Sequence, residues 1–360
     1  MSAANEKDRG ITSRHFKPSD GQRIMALFQK VFGNSRTGEE WEWKFPKHCL
    51  SDVYIRIAED SGTQELIGQY ALIPVNVQVD QAVVHAALSL DTMVDERFRG
   101  RGLFTRLAEE LYSSPECSKV GILIGFPNPS SYPGFIRRLK WEHIGDFDLM
   151  LRPLVFSETL SSLGFRWAAW PVVRQTLAAA GWVFGLIFRV DQGRSADFAD
   201  IVPVKEFDQT FDSFFQRLVQ SQPGCRIHKD HRYMNWRYIE PVHVKYEVFA
   251  MKDAGVPGGV CGYLVLSQSK ARGVVVDLLS LSEEASSTLI RFAVSRFREQ
   301  GAAYCLTWAN PARKFKGILK RQGFLKAKST PFIVRDLSGR GAAIKSAASW
   351  CLMPGDNDTF

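Results

Sequence analysis

The sequence lacks the features that define several large classes of protein. It has no run of five or more Lys and Arg, so its formal charge of +8 is spread thinly and a nucleic-acid partner is not expected. None of its six cysteines forms a Cys-x-x-Cys pair, which argues against a zinc site and is typical of free thiols in a reducing compartment. The opening residues, MSAANEKDRG, are polar, so we expect no secretory signal and a cytoplasmic location.

Long apolar runs are also scarce, and only one raises the question of a membrane. Residues 177–188 read LAAAGWVFGLIF, and about 12 uncharged residues are too few to cross a bilayer, which needs roughly 20. Two interpretations remain open for residues 165–190. The first is a buried helix that packs between domains, and the second is a helix in a membrane interface with Trp167, Trp170 and Trp182 near the headgroups.

The chain contains a weak internal repeat with a period of about 190 residues. With 45% hydrophobic residues the composition is that of a globular protein, and 360 residues exceed the usual size of a single core. The landmarks in order are Trp43, Gly68, Asp91 and Asn128-Pro129, then Trp236, Gly262, Asp277 and Asn310-Pro311. We therefore expect two copies of one α+β unit, each a mixed twisted sheet flanked by helices.

The repeat suggests a division of the chain into four parts. These are a first domain at 1–150, an apolar helical linker at 151–200, a second domain at 201–340 and a tail at 341–360.

Within the first domain, periodicity predicts helices at Asp20–Phe32 and Leu103–Tyr112. Alternation predicts strands at Val53–Ala58 and Leu66–Pro74, followed by a hairpin at Val75–Thr92.

A glycine-rich turn precedes the second of these helices. Residues 97–102 read RFRGRG, which is Arg-x-x-Gly-x-Gly between a strand and a helix. Such a turn can point backbone N–H groups and a helix N-terminus at a diphosphate, and Arg99 and Arg101 add positive charge. A turn of this kind can equally be structural, and its glycine spacing differs from that of dinucleotide-binding and P-loop motifs.

Residues 94–102, VDERFRGRG, resemble the acetyl-CoA pyrophosphate loop of the GNAT N-acetyltransferase superfamily. The usual His-Pro pair is Asp95-Glu96 here, whereas the glycines are intact. The resemblance implies that Met93 and Val94 bind the pantetheine arm through their backbone and that Asn128 lies where two central strands separate. The residues that would hold the pyrophosphate are Arg99, Gly100, Arg101, Gly102, Leu103 and Phe104. After Asp277 the chain reads LLSLSEEASSTL without a glycine turn, so the second copy resembles a degenerate GNAT unit.

Two residues are candidates for proton transfer. Asp91 is three residues before Val94, on the strand that would line the acetyl site, and could take the proton of the amine. Asp277 occupies a similar place in the second copy, so this acid could instead be architectural. Many relatives have a Tyr seven residues after the Asn, where this chain has Phe135. Tyr132 is the nearest hydroxyl and the candidate acid for the thiolate, unless it only forms a turn.

The acceptor side and the tail offer further candidates. Trp41 and Trp43, with Glu40 and Glu42, suggest either core or a wall of the acceptor cleft. A chain end is disordered by default, but the run up to Met353 is apolar enough to dock. Asp356, Asp358 and the final carboxylate could then bind a cationic amine or act as the base, as in some tandem relatives.

The resemblance implies transfer of acetyl from acetyl-CoA to an amine of a small molecule or amino sugar, by direct attack and without a metal. The pair His228 and His231 has no partners that would complete a metal site. Two alternatives remain: a non-catalytic acyl-CoA-binding sensor, which the missing Tyr at 135 favours, and a peptidoglycan-type aminoacyl transferase.

Overall fold

The computed structural model describes residues 10–50, 53–165, 167, 170–188, 198–309, 315–339 and 341–357. The first half begins with strand β1 (Ile11–His15), helices α1 (Gly21–Phe32) and α2 (Gly38–Lys44), and strands β2 (Tyr54–Asp60), β3 (Leu66–Val79) and β4 (Ala82–Val94). It continues with α3 (Leu103–Tyr112), β5 (Ile122–Gly125) and β6 (Glu142–Pro153). Helices α4 (Phe156–Ser162) and α5 (Pro171–Phe188) follow.

The second half repeats this alternation with shorter connections. Its elements are β7 (Ile201–Pro203), α6 (Gln209–Ser221), β8 (Cys225–Ile227), α7 (His231–Met234), β9 (Tyr246–Lys252), β10 (Val260–Ser269) and β11 (Arg272–Ser280). They continue with α8 (Glu283–Glu299), β12 (Tyr304–Ala309), α9 (Phe315–Arg321) and β13 (Leu325–Asp336). The mixed α+β class expected from the sequence is confirmed.

The strands of both halves form one continuous sheet. Its order is β1-β2-β3-β4-β5-β13-β6-β12-β11-β10-β9-β7, with β8 paired to β3 off this path. The order is symmetric about the β13–β6 pair, and each half contains one parallel pair, β4 with β5 and β11 with β12. The last strand of each half lies within the other half, because β13 pairs with β5 and β6 pairs with β12.

Apolar side chains pack on both faces of this sheet. One cluster joins α1 and α2 of the first half to α6 of the second, and includes Ile24, Trp41, Leu88, Phe214 and Trp236. A second lies under α3 and a third under α8. Trp41 is 5% exposed and its ring lies 4.3 Å from that of Phe45, so it belongs to the core.

The predicted helices over Asp20–Phe32 and Leu103–Tyr112 are confirmed, but the strand expected to end at Pro74 continues to Val79. A proline can be accommodated here because β2 pairs with β3 only as far as Leu72, and β8 pairs with it only from Val77. The missing N–H of Pro74 therefore falls in a gap between two partners on that edge. The predicted hairpin over Val75–Thr92 is confirmed, because β3 and β4 pair antiparallel there with the turn at Asp80-Gln81, but its first arm is the continuation of the strand that begins at Leu66.

Candidate functional site

The parallel strands β4 and β5 separate at the centre of the first half. Their pairing runs from Ala86–Ile122 to Ser89–Gly125 and then stops, although β4 continues to Val94. A cleft of about 710 Å³ opens beside this point. Of the residues expected to hold the cofactor, those that line it are Met93, Val94, Arg99, Gly100, Gly102, Leu103, Phe104 and Asn128. The structure therefore brings together residues that are up to 35 positions apart in sequence.

The glycine turn leaves the rim of this cleft open. Gly100 and Gly102 have φ values of +76° and +80°, and a Cβ at either position would have no atom within 4 Å. Gly102 also precedes the first residue of α3, whose first turn contains no acidic side chain. Backbone N–H groups and a positive helix end are thus available to an anion. A larger side chain would be strained by the backbone and would occupy the space that an anion needs.

The Asp95 carboxylate fixes the start of the turn. It accepts a hydrogen bond from the backbone N–H of Arg97, and its Oδ2 lies 2.8 Å from both Lys30 Nζ and Arg97 Nη2. Hydrogen bonds from the Arg97 guanidinium and from Lys30 hold the pKa of Asp95 well below its usual range. This acid, which departs from the His-Pro pair of the GNAT loop, therefore has a structural role in shaping the turn.

Two predicted cofactor residues have contacts that the sequence did not indicate. The Arg101 guanidinium lies 5.0 Å from the ring centroid of Phe98, and Arg101 is not among the residues that line the cleft. Asn128 Oδ1 accepts hydrogen bonds from the N–H groups of Ser130 and Ser131, at 3.0 and 2.9 Å, which closes the turn after β5.

Sequence reasoning missed the opposite wall of the cleft. That wall contains Arg137 and Arg138, which come from a π-helical turn at Gly134–Arg138. Two adjacent arginines about ten residues after Asn128 were the signal that could have revealed them.

A β-bulge lies on β4 next to the cleft. Gln69 pairs with Met93 and Ala71 with Leu90, so Asp91 and Thr92 together stand opposite Tyr70 alone. Asp91 has a φ of +46°, and its carbonyl accepts a hydrogen bond of 3.0 Å from Gln69 Nε2. A bulge changes the direction in which the side chains of its strand point, and bulges are frequent beside active sites. Thr92 lines the cleft, and among the described residues its buried Oγ1 has no hydrogen-bond partner.

The Asp91 carboxylate is held between two cations. Its Oδ2 lies 2.5 Å from Arg36 Nη1 and 3.5 Å from Lys44 Nζ, and its side chain is 6% exposed. Burial alone would raise the pKa of Asp91, but the charges of Lys44 and Arg36 outweigh it and keep that pKa below its ordinary value. A carboxylate in this state is a weak proton acceptor, so the contacts favour the architectural alternative for Asp91.

Tyr132 lies away from the cleft wall. Its hydroxyl is 3.1 Å from His143 Nδ1, and the two rings are in an edge-to-face arrangement with centroids 5.8 Å apart. Its neighbours Ser131 and Pro133 line the cleft, whereas Tyr132 is not among the lining residues. The structure therefore does not bring Tyr132 and Asp91 together in one site.

A second cleft, of about 350 Å³, lies between the two halves and is called the central cleft here. Trp43 and Asp356, two of the predicted substrate residues, both line it. Lys44 also lines it, and its Nζ lies 3.5 Å from the carboxylate of Asp91 in the bulge of β4. Glu40 lines it as well and is paired with Arg36 at 2.8 Å, whereas Glu42 forms an exposed pair with Lys47.

Trp43 and its counterpart Trp236 pack against each other in the wall of the central cleft. Their rings are stacked with centroids 5.0 Å apart and planes at 16°. The Nε1–H of Trp43 donates to the carbonyl of Trp236 at 2.7 Å, and that of Trp236 donates to the carbonyl of Trp43 at 3.2 Å. The contact is therefore reciprocal, as expected at an axis that relates two similar halves.

The tail is docked as far as it is described. The Nε–H of Arg237 donates to the carbonyl of Gly355 at 3.1 Å, and Lys229 Nζ lies 2.8 Å from Asp356 Oδ1. Asp356 is 4% exposed, and burial raises its pKa above the ordinary value in spite of Lys229. Asp358, the other predicted acid of the tail, lies outside the described residues.

Among the described residues, no group of three or more His, Cys, Asp or Glu side chains could hold a metal ion. The two histidines examined for this role have other partners: His228 Nδ1 lies 3.0 Å from Gln78 Oε1, and His231 Nδ1 lies 2.6 Å from Asp212 Oδ2.

Comparison with protein families and with solved structures gives a consistent result. Residues 12–144 match the family model described as an acetyltransferase (GNAT) domain. No curated protein matches the chain significantly.

Several solved structures share the fold of the whole chain. A GCN5-related N-acetyltransferase from Anabaena variabilis is 13% identical with a TM-score of 0.63, over 91% of this chain and 73% of that one. A probable N-acyltransferase from Enterococcus faecalis, described as of unknown function, is 12% identical with a TM-score of 0.62 and the same coverage. The N-myristoyltransferase of Saccharomyces cerevisiae, solved with bound myristoyl-CoA, is 11% identical with a TM-score of 0.62, over 95% of this chain and 89% of that one.

Proposed function

On the premise that residues 12–144 form a GNAT acetyltransferase domain, we propose that this protein transfers an acetyl group from acetyl-CoA to an amine. The observation that carries the proposal is the 710 Å³ cleft between the separated strands, with the open Gly100–Gly102 turn at its rim. An acyl-CoA has both features that this cleft suits, a diphosphate for the turn and a narrow arm that can lie along β4. The N–H and C=O groups of the arm would pair with the edge of β4 at Met93 and Val94, which β5 does not cover.

The donor is proposed to carry a short acyl group, because aromatic side chains fill the space beyond the end of β5. Phe126 follows Gly125 directly, and its ring lies 5.1 Å from that of Trp308 and 5.2 Å from that of Phe332. Trp308 and Phe332 are fully buried. A long acyl chain directed past Gly125 would have to displace this cluster at a cost of several kcal/mol. This argument supports acetyl over myristoyl, the group bound in the yeast relative.

The amine is proposed to bind in the central cleft. A volume of about 350 Å³ suits a small molecule or an amino sugar rather than a folded protein segment. The amine nitrogen would attack the thioester carbonyl directly, the C–S bond would break as the C–N bond forms, and the thiolate of CoA would leave. No covalent intermediate on the protein is required.

The base for this reaction is proposed to be Asp356. Asp356 is one of the residues that line the central cleft, and since burial raises its pKa whereas that of Asp91 is lowered, it would be the better proton acceptor of the two. Asp91 would act as a positioning residue, since its bonds to Arg36 and Lys44 hold α2 against the bulge of β4.

The identity of the acid is a separate proposal. The Tyr132 hydroxyl lies 3.1 Å from His143 Nδ1, and Tyr132 could protonate the thiolate if His143 donates to its oxygen or if the hydroxyl turns away from His143. If this happens, Tyr132→Phe will slow turnover, and His143→Ala will not.

The remaining proposals concern the rest of the chain. We propose that residues 201–340 are a degenerate copy of the first unit, which the symmetric strand order and the reciprocal tryptophans support. We also propose a cytoplasmic location, and contact of residues 165–190 with a membrane surface.

The decisive experiment measures release of free CoA from acetyl-CoA in the presence of a panel of amino sugars and small amines. Turnover with an amine and an acetylated product of matching mass supports the proposal. A protein that binds acetyl-CoA with no turnover on any amine is a sensor, and a protein that acts only with aminoacyl-tRNA is an aminoacyl transferase; either result would overturn the proposal. A series of acyl-CoA donors of increasing length tests the preference for acetyl, which a faster rate with myristoyl-CoA would contradict.

A further inference from the structure

Large apolar side chains are exposed in one region of the molecule far more than elsewhere. Of the fourteen that are exposed in the described part of the chain, seven lie between residues 163 and 183. They are Leu163, Phe165, Trp167, Trp170, Val172, Trp182 and Val183. Single exposed apolar residues are ordinary, but a contiguous group of them marks an interaction surface.

The tryptophans show the same contrast. The chain has nine, and five of the six outside this region are at most 5% exposed, with Trp43 half-buried. Trp167, Trp170 and Trp182 are 46%, 66% and 69% exposed. Tryptophan favours the boundary between hydrocarbon and water, because its ring is apolar and its N–H is polar.

Helix α5 lies on the surface of the protein. Its packing among the described residues is mainly against α4, where the ring of Phe184 lies 5.2 Å from that of Phe156. The expectation of a helix buried between two domains is therefore wrong. Most of the α5 side chains between Val172 and Phe184 are exposed. Among its described side chains, Val172, Trp182 and Val183 are exposed, which is unusual for a helix that faces water.

The charged side chains of this region have a net positive charge. Residues 156–188 contain two arginines, Arg166 and Arg174, and one acid, Glu158. Arg174 lies on α5 and is exposed. Exposed apolar side chains beside a net positive charge fit a surface that is apolar inside and negatively charged outside.

We propose that the α4–α5 region, residues 156–188, docks this protein on the surface of an anionic lipid bilayer. Trp170 and Trp182 would lie at the level of the headgroups, Val172 and Val183 would enter the acyl boundary, and Arg174 would face lipid phosphates. No helix in the described ranges is both long and apolar enough to cross a membrane, so the contact is peripheral. This proposal is independent of the proposed acetyl transfer.

The test is co-flotation of the full chain with vesicles of phosphatidylcholine alone and of phosphatidylcholine mixed with phosphatidylglycerol. We expect binding to the mixed vesicles, and a blue shift of tryptophan emission because the exposed indoles leave water. The double variant Trp170→Ser/Trp182→Ser should weaken the binding by about tenfold or more, since two large apolar side chains are lost. Arg174→Glu should weaken binding to the mixed vesicles and leave binding to phosphatidylcholine unchanged.

The matched control is Val83→Ser/Val242→Ser, which removes two exposed apolar side chains elsewhere and should bind like the unaltered protein. All variants change exposed positions, and far-ultraviolet circular dichroism will verify that they fold.

The proposal is overturned if the unaltered protein floats with neither vesicle. It is also overturned if sedimentation shows a dimer that the tryptophan variant abolishes, because a second copy would then cover the helix. Acetyl transfer between water-soluble substrates should be the same in every variant, so this test and that of the reaction fail separately.

Discussion

The two halves of the sheet have the same strand order but differ in the turn after their long central strand. In the first half, β4 leads through Gly100 and Gly102 into α3, and the space in front of the helix is open. In the second half, β11 leads directly into α8, where the Ser282 side chain accepts a hydrogen bond from the N–H of Ala285. The first turn of α8 carries Glu283 and Glu284. Side chains of the protein thus supply to α8 the hydrogen-bond acceptor and the negative charge that α3 leaves to a ligand.

The clefts beside the two turns also differ, both in volume and in the charge of their lining. The cleft of the second half has a volume of about 360 Å³, close to half that of the first, and Glu283 lines it. An acid at this position would repel a diphosphate. If the second half is a degenerate copy, as proposed, the change of this one turn accounts for the loss of its site while the strands around it are retained.

The acids at equivalent positions of the two halves show a related contrast. Asp277 Oδ2 accepts hydrogen bonds from Lys229, Tyr238 and Tyr263 at 2.7 to 2.9 Å and is fully buried. The Asp91 carboxylate instead pairs with the cations Arg36 and Lys44, and Lys44 lines the central cleft. The buried acid of the second half is therefore part of the network that docks the tail, since Lys229 also pairs with Asp356.

The largest effect is expected at the glycine turn, where the two halves differ. Gly102→Glu adds strain at a φ of +80° and places a negative charge where the diphosphate binds, so we expect loss of acetyl-CoA affinity by at least about a hundredfold. Isothermal titration calorimetry measures the affinity and should give one site per chain for the unaltered protein. The matched control, Glu284→Lys at the first turn of α8, should leave affinity and stoichiometry unchanged. Binding of two equivalents would contradict the difference between the halves.

The acids Asp356 and Asp91 are expected to differ in their effect on turnover. Asp356→Asn should lower kcat by about 10²–10⁴, the range for loss of a general base, with little change in acetyl-CoA affinity. The fold should survive because Lys229 keeps its pair with Asp277. Asp91→Asn should lower the melting temperature more than kcat. Steady-state rates across pH decide between them: if Asp91→Asn causes the larger loss and the loss shrinks at high pH, Asp91 is the base.

Two histidines pack on the paired tryptophans from opposite sides and should differ in their effect on stability. His48 lies 4.3 Å from the ring of Trp236, and His243 lies 4.8 Å from that of Trp43. Burial lowers the pKa of His48 to about 4, and it lowers that of the more exposed His243 as well.

Below about pH 6.5 the unfolded chain takes up a proton that His48 in the folded protein does not, so stability falls as the pH drops towards 4. The loss from His48 should reach about 3 kcal/mol. His48→Gln should remove this dependence and His243→Gln should change it less, as measured by urea unfolding between pH 4 and 7. Equal effects of the two would show that their burial is equivalent.

The smallest effect is expected at the tryptophans themselves. Trp43→Phe and Trp236→Phe each remove one indole hydrogen bond and should each reduce the free energy of unfolding by about 1–2 kcal/mol. Because the rings are in contact, the double variant should lose less than the sum. Chemical unfolding of the three variants tests whether the two tryptophans contribute equally to the free energy of unfolding.

The parts of the site that could be predicted from the sequence are those that depend on neighbouring residues. The Gly100–Gly102 turn, the strand before it and α3 after it follow from local pattern, and the repeat follows from spacing. The partners of Asp91 could not be predicted, because Arg36 precedes it by 55 residues and is brought to it only by the packing of α1 and α2 on the sheet. The contact of Tyr132 with His143 likewise depends on where β6 runs, and β6 pairs with strands of the other half.

Strands β6 and β13 each lie within the other half of the sheet, and this affects how the chain folds during synthesis. During synthesis the first half emerges with β5 unpaired on one edge, since the strand that covers this edge ends at Asp336. An unpaired edge next to apolar faces is prone to aggregation until its partner arrives. The sheet of the first half therefore cannot be completed until nearly the whole chain has left the ribosome. Fragments that end near residue 150 should be poorly soluble on their own.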